Sequence, residues 1–375
     1  MDDDRPPGFD RTRWKDARWS RWSFRNTAGF LPSTQILPSL QPRDLPPGEP
    51  WAPQGWGTFL AESHATSAIL MVDGKVVAAE PEGAISDPRP HMLFSITKSI
   101  VGLVARMLAD QSIIKTDATT QFYLPALAGT AFGDASLADL LAMRDGVAFD
   151  ETYADPDADI HSYSRAYWGD AAGGVAARLA ALPAAAHSVG FAYRTPVADV
   201  MGAILTAATG QGLAGLIGSL LWRPMGAAHA AHFVLDTAGV EIAGAGFNAA
   251  TSDLARLALL LLDGGAWSGR QVIPEHLVAG LFEGGDRAAF AHGYRARPGW
   301  SYRDLWWHMG DSTIAALGVH GQRLIVDRRR RLALIRTGAQ PAPDNRPFDA
   351  LHDAMLNVMH ARTPKCPEVE VGDQA

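Results

Sequence analysis

The 375-residue chain has one cysteine, Cys366, so no intrachain disulfide can form and a thiolate metal cluster is excluded. Positive charge is not in excess: 33 Lys and Arg stand against 40 Asp and Glu, a net charge of −7. Broad nucleic-acid binding needs a basic face and is not expected. The one basic block, Arg328 to Arg331, sits between two strand-like runs and reads as a solvated hairpin turn. No window approaches the roughly 18 uninterrupted apolar residues of a membrane span. The start, Met1-Asp2-Asp3-Asp4, has no apolar core of a signal peptide. These absences lead to the expectation of a cytoplasmic protein without a membrane partner. Gly-x-Ser-x-Gly, the P-loop and His-Glu-x-x-His are also missing, so the commonest hydrolase elbow, nucleotide cradle and zinc-protease helix have no support.

What remains is globular material. Hydrophobic residues make up 47% and charged residues 19%, enough to bury a sizeable core in one large or two to three ordinary domains. Residues 1–55, rich in Pro, Arg and Trp, read as an arm that is irregular at least in part. Ser67 to Val72 and Lys75 to Glu80 are strand-like runs joined by Asp73-Gly74, a strong hairpin signal. From about Thr116 to Gly244 the chain turns Ala- and Leu-rich with helical patches. Ser136 to Met143 reads as a short helix, and Thr195-Pro196 as the N-cap and first residue of another that stops at Gly210. Asp253 to Asp263 reads as a helix closed by Gly264-Gly265. Strand patterns return at Arg323 to Asp327 and Leu332 to Arg336, and an amphipathic helix is expected over 347–362. The economical fold is α+β: an antiparallel sheet flanked by helices and built from 1–115 and 245–375, with a mostly helical domain inserted at 116–244.

The chemistry centres on Phe94-Ser95-Ile96-Thr97-Lys98. In a helix, Ser95 and Lys98 share a face with Cβ atoms about 5–6 Å apart, so the amine can reach and activate the hydroxyl. Ser-x-x-Lys is a short pattern, and Ser112-Ile113-Ile114-Lys115 repeats it. Ile100, Val104, Met107 and Leu108 continue the first match at helical spacing, whereas Ser112 follows the end of that pattern. A helix start also sets a backbone N–H and the positive dipole end beside a reacting carbonyl. The bland alternative makes Ser95 an N-cap and Lys98 a surface lysine. Gly210, Gly212 and Gly215 form Gly-x-Gly-x-x-Gly, but after a helix rather than a strand, which suits a connector better than a dinucleotide site. His229 and His232 lack a third metal ligand, and Trp306-Trp307 suits a pocket wall or the core equally.

Further segments keep a recognisable order: Leu140 to Gly146, Asp150 to Pro156, Phe191-Ala192-Tyr193-Arg194-Thr195, Thr251 to Arg256, and Gly318-Val319-His320-Gly321-Gln322. With Phe94-Ser95 and Lys98 they resemble the serine hydrolases related to class C β-lactamases and DD-peptidases, and among them the 6-aminohexanoate-dimer (nylon oligomer) hydrolase branch. The resemblance runs from about Trp22 to the C-terminal helix. It implies a β-lactamase/transpeptidase-like fold and an acyl-enzyme on Ser95. Lys98 and Tyr193 would share the acid and base roles, an ammonium favouring the phenolate. The backbone N–H groups of Ser95 and Val319 would form the oxyanion hole. Tyr153, Gly318 and His320 would contact substrate, with no cofactor or metal. Tyr193 as a packed core residue and Tyr153 as a loop residue are the competing readings.

The departures narrow the substrate. Where relatives carry Tyr-x-Asn or Ser-x-Asn, this chain has Tyr193-Arg194-Thr195, and Ala316-Leu317-Gly318 lacks the Lys or His of the third motif. A β-lactam carboxylate would meet no cation there, with His320 a partial substitute or a neutral pocket residue. The expected substrate is a small carboxylic ester or a linear amide. For an amide with an ammonium end, Asp155, Asp157 and Asp159 are acidic candidates, though a solvated loop explains them as well. The rival reading is a penicillin-recognising binding or sensor protein, or a weak β-lactamase, that acylates without efficient turnover. A homodimer is a possible assembly.

Overall fold

The computed structural model describes residues 5–169, 171–183 and 190–363; Cys366 lies outside them. Its centre is a seven-stranded antiparallel sheet in the order Lys75–Glu80, Ala65–Val72, Leu332–Gly338, Gln322–Asp327, Thr313–Gly318, Trp306–Gly310, Ser301–Arg303. The early hairpin joins the late strands where Ala65–Val72 pairs with Leu332–Gly338. Side chains alternate across a strand, and here both faces are apolar. Ile69, Met71, Leu324, Val326, Ala333 and Ile335 enter the main core, while Ala68, Leu70, Ile325, Leu332 and Leu334 enter a second one. Helices Trp56–Glu62 and Asp349–Arg362 cover the second face with Phe59, Met355 and Met359. On the first lie helices Ile96–Asp110 and Thr251–Leu262.

Local signals set most element boundaries. Asp73 and Gly74 both have positive φ, as their hairpin turn requires. The helix after Tyr193 starts at Thr195, so Arg194, extended at φ −144° and ψ 119°, holds the cap position expected for Thr195. Gly210 closes it in the left-handed region. The Arg328–Arg331 turn is half-buried and ion-paired rather than freely solvated: Arg330 meets Asp311 and Asp327, and Arg331 meets Asp263. From residue 5 on, the N-terminal arm forms helix Ala17–Ser23 and buries the rings of Trp14, Trp19 and Phe24. Its strand Ser33–Ile36 joins a four-stranded sheet with Ala231–Val234, Phe247–Ala249 and His91–Met92. Ala231–Val234 falls inside the span expected to be a helical insert, yet it is a sheet strand bonded to both ends of the chain. Among the described residues no single helix is long and apolar enough to cross a membrane.

The Ser95 helix is held at close range. A Cβ on Gly102 would stand 2.1 Å from the Asp304 carbonyl oxygen, so only glycine lets the helix approach that loop. Gly102→Ala is expected to lower stability by about 1–3 kcal/mol, checked by thermal unfolding.

Candidate active site

Ser95 follows Phe94, whose φ of 47° is a strained setting for a bulky residue. The ring is pinned by Trp14, Phe24 and His320, with centroids 6.2, 5.0 and 5.3 Å away. Ser95 itself has helical φ and ψ and makes no side-chain cap bond. Its Oγ instead accepts from Lys98 Nζ at 2.7 Å. Lys98 is fully buried and also donates to the Gly244 carbonyl at 2.7 Å. Neither the cap reading nor the surface-lysine reading fits this geometry. Ser112, by contrast, is an exposed turn residue at φ 61°, and the Lys115 side chain is exposed.

Burial pushes Lys98 down to about 8, against the pull of Glu151 and Asp199, which favour the ammonium. Burial and the Glu151 charge push Tyr193 well above the usual phenol range, opposed by its hydrogen bond with Ser95. Against the expected ammonium–phenolate pair, burial thus favours the neutral amine on Lys98 and the neutral phenol on Tyr193. Its ring lies 5.2 Å from Lys98 Nζ and stacks on Trp307 at 5.3 Å and 19°. Trp307 is thus a pocket wall, while Trp306 is core and donates its indole N–H to the Ser99 carbonyl.

Three groups stand behind Lys98 that the sequence does not single out. Glu151 accepts from the Thr195 N–H and hydroxyl at 2.6 and 2.7 Å and from Tyr153 at 3.2 Å. Burial raises its pKa despite Lys98 and these bonds. Asp199, pushed up to about 6 by burial against the Tyr167 and Tyr163 hydroxyls, accepts from Gly244 N–H at 2.8 Å. Gly244 in turn holds Lys98. An acidic residue among Val197, Val200, Met201 and Ile204 of one apolar helix was the visible signal for Asp199. Glu151 had none beyond its nearness to Tyr153. Asp155, Asp157 and Asp159 are spent on loop bonds or solvent: Asp155 accepts from Asp157 N–H and Asp159 from Asp150 N–H. None of the three lines the cavities at Ser95.

The N–H groups of Ser95 and Val319 donate to no acceptor among the described residues, and both residues line the cavities. Gly318 is required at its place because a Cβ there would sit 2.4 Å from the Leu93 carbonyl oxygen. His320 is buried, its Nδ1 is 2.8 Å from the Gln340 carbonyl oxygen, and burial lowers it to about 4, so it offers no cation near neutral pH. Arg194 is tied to Asp145 at 3.0 Å and Thr195 to Glu151, so neither replaces the missing amide. His232 bonds Thr27, and the described residues hold no cluster of metal-ligating side chains.

Two cavities meet at Ser95. The larger, about 390 Å³, is walled by Tyr193, Trp307, Trp300 and Glu151. Its arginines are engaged: Arg323 and Arg297 with Asp349, and Arg346 with Asp344. The smaller, about 270 Å³, is lined by Phe94, Val319 and Trp168 among others. Tyr153 lines both.

Residues 60–355 match the family model described as Beta-lactamase. The 6-aminohexanoate-dimer hydrolase of Paenarthrobacter ureafaciens is 29% identical over 364 residues, 92% of this chain and 91% of that one. A Bacillus anthracis protein assigned as a 6-aminohexanoate-dimer hydrolase superposes with a TM-score of 0.82 at 22% identity, over 93% of this chain and 96% of the other. EstCE1, a hydrolase with promiscuous acyltransferase activity, superposes at 0.61 and 17% identity, over 80% and 97%.

Proposed function

The chain belongs to the beta-lactamase family and is a serine hydrolase related to 6-aminohexanoate-dimer hydrolase, and from that premise we propose that it cleaves a carboxylic ester or linear amide through an acyl-enzyme on Ser95. The observation that carries this is the buried Lys98 amine 2.7 Å from Ser95 Oγ.

With Lys98 neutral, Ser95 gives its proton to Nζ as Oγ attacks the carbonyl. The Ser95 and Val319 N–H groups receive the oxyanion, a contribution of about 2.7–4 kcal/mol per donor to the barrier. As the tetrahedral intermediate collapses, Tyr193 passes its phenolic proton to the departing oxygen or nitrogen, and the Lys98 ammonium restores it. Water then attacks the acyl-enzyme with its proton taken by the same amine, and the proton returns to Ser95. The paired arginines leave no free cation for a β-lactam carboxylate in the larger cavity, which favours esters and open amides over penicillins.

The test is to incubate the protein with short-chain nitrophenyl esters, 6-aminohexanoate dimer, nitrocefin and an activated phosphonate, following rate and intact mass. Ester or amide turnover with a single phosphonate adduct is expected. An ester-derived adduct that persists without turnover would favour the binding or sensor reading. The absence of both turnover and adduct overturns the hydrolase.

A further inference from the structure

The smaller cavity contains a charge that the chemistry above does not use. Lys15, on the N-terminal arm, lines it together with Ser95, Phe94, Ile160 and Trp168. Its Nζ lies 5.2 Å from the Trp168 ring centroid, and no described residue gives it a hydrogen bond or ion pair. The neighbouring Asp16, which also lines the cavity, is taken by Arg13 at 2.6 Å. Lys15 is half-buried in the cavity wall with the Asp16 charge beside it, and its ammonium donors are left for a ligand that enters the cavity.

Which half of the substrate enters this cavity follows from Tyr193. The proton donor to the leaving group lines the larger cavity and not the smaller. The leaving group therefore occupies the larger cavity and the acyl group the smaller. Resting on the hydrolase reading, we propose that Lys15 forms the anion-binding end of the acyl subsite, and that the substrates are monoesters or monoamides of dicarboxylic acids. The apolar walls of Phe94, Ile160 and Trp168 take the methylene chain, and the second carboxylate pairs with Lys15 Nζ. Burial lowers Lys15 to about 8, so the cation is present at neutral pH and a bound carboxylate holds it there. An acyl chain ending in an ammonium meets like charge and is disfavoured.

The experiment compares mono-nitrophenyl glutarate and adipate with the uncharged valerate and hexanoate esters, in wild type, Lys15→Met and Lys15→Arg. Wild type is expected to prefer the carboxylate series in kcat/KM by about tenfold, the scale of one charge-assisted bond. Lys15→Met should lose that preference while keeping the uncharged esters within about twofold, and Lys15→Arg should retain most of it. Should Lys15→Met fail to fold, inhibition of wild-type hexanoate hydrolysis answers the same question: glutarate must inhibit more strongly than pentylamine. Equal rates on both series, or equal inhibition, overturns the subsite and leaves the hydrolase standing. No turnover of any ester overturns the hydrolase and this subsite with it.

Discussion

In Ser95→Ala, turnover of nitrophenyl esters falls by about 100,000-fold or more, the scale on which loss of a covalent nucleophile is felt, and phosphonate labelling disappears from the intact mass. The variant removes only an oxygen. Lys98 keeps its bond to the Gly244 carbonyl, and the helix contacts through Thr97 and Ser99 to Phe247 and Leu305 are untouched. The melting temperature should therefore stay within a few degrees of wild type. Residual activity equal to that of wild type would place the nucleophile elsewhere. The result separates chemistry from fold, because the serine is buried at 8% exposure yet lines both cavities.

Lys98→Met lowers kcat/KM by about a thousandfold, within the range supplied by a general base. The pH profile identifies the group. The free enzyme must present Lys98 as an amine, and burial sets its pKa at about 8. Wild-type kcat/KM is expected to climb as pH rises to about 8 and to level off above it. Glu151 favours the ammonium, so Glu151→Gln moves the midpoint to lower pH. A flat profile between pH 6 and 9, or a Glu151→Gln midpoint shifted upward, rules out Lys98 as the base. Burial and Glu151 push Tyr193 upward, away from this range, so its ionisation would give a midpoint above that of Lys98.

The sequence and the structure part company at identifiable places. The Asp73-Gly74 hairpin, the two late strands and the Ser95 helix were legible because each rests on a periodicity or a turn within a dozen residues. A Thr-Pro pair suits a cap and its first helical residue, but the Glu151 carboxylate, 44 residues away, takes both the N–H and the hydroxyl of Thr195. Asp155, Asp157 and Asp159 are the acidic candidates by sequence, since a loop sequence does not reveal which carboxylate turns inward. The structure turns Glu151 inward by bonding it to the start of the Tyr193 helix.

The sequence by itself singled out Ser95, Lys98 three residues on, Tyr193 and the strand ending at Gly318, which the structure brings to one site. Helical spacing and strand patterning are local, and an ordered set of short motifs survives being read in one dimension. Only the tertiary structure shows that burial lowers Lys98 and raises Tyr193. That depends on desolvation and on Asp199, Gly244 and Glu151 converging on Lys98 from separate segments. It also places Lys15, in an arm that reads as irregular, in the wall of a cavity shared with Ser95, with no ion pair among the described residues. Burial and charge are properties of the packed chain, and neither has a period in the sequence.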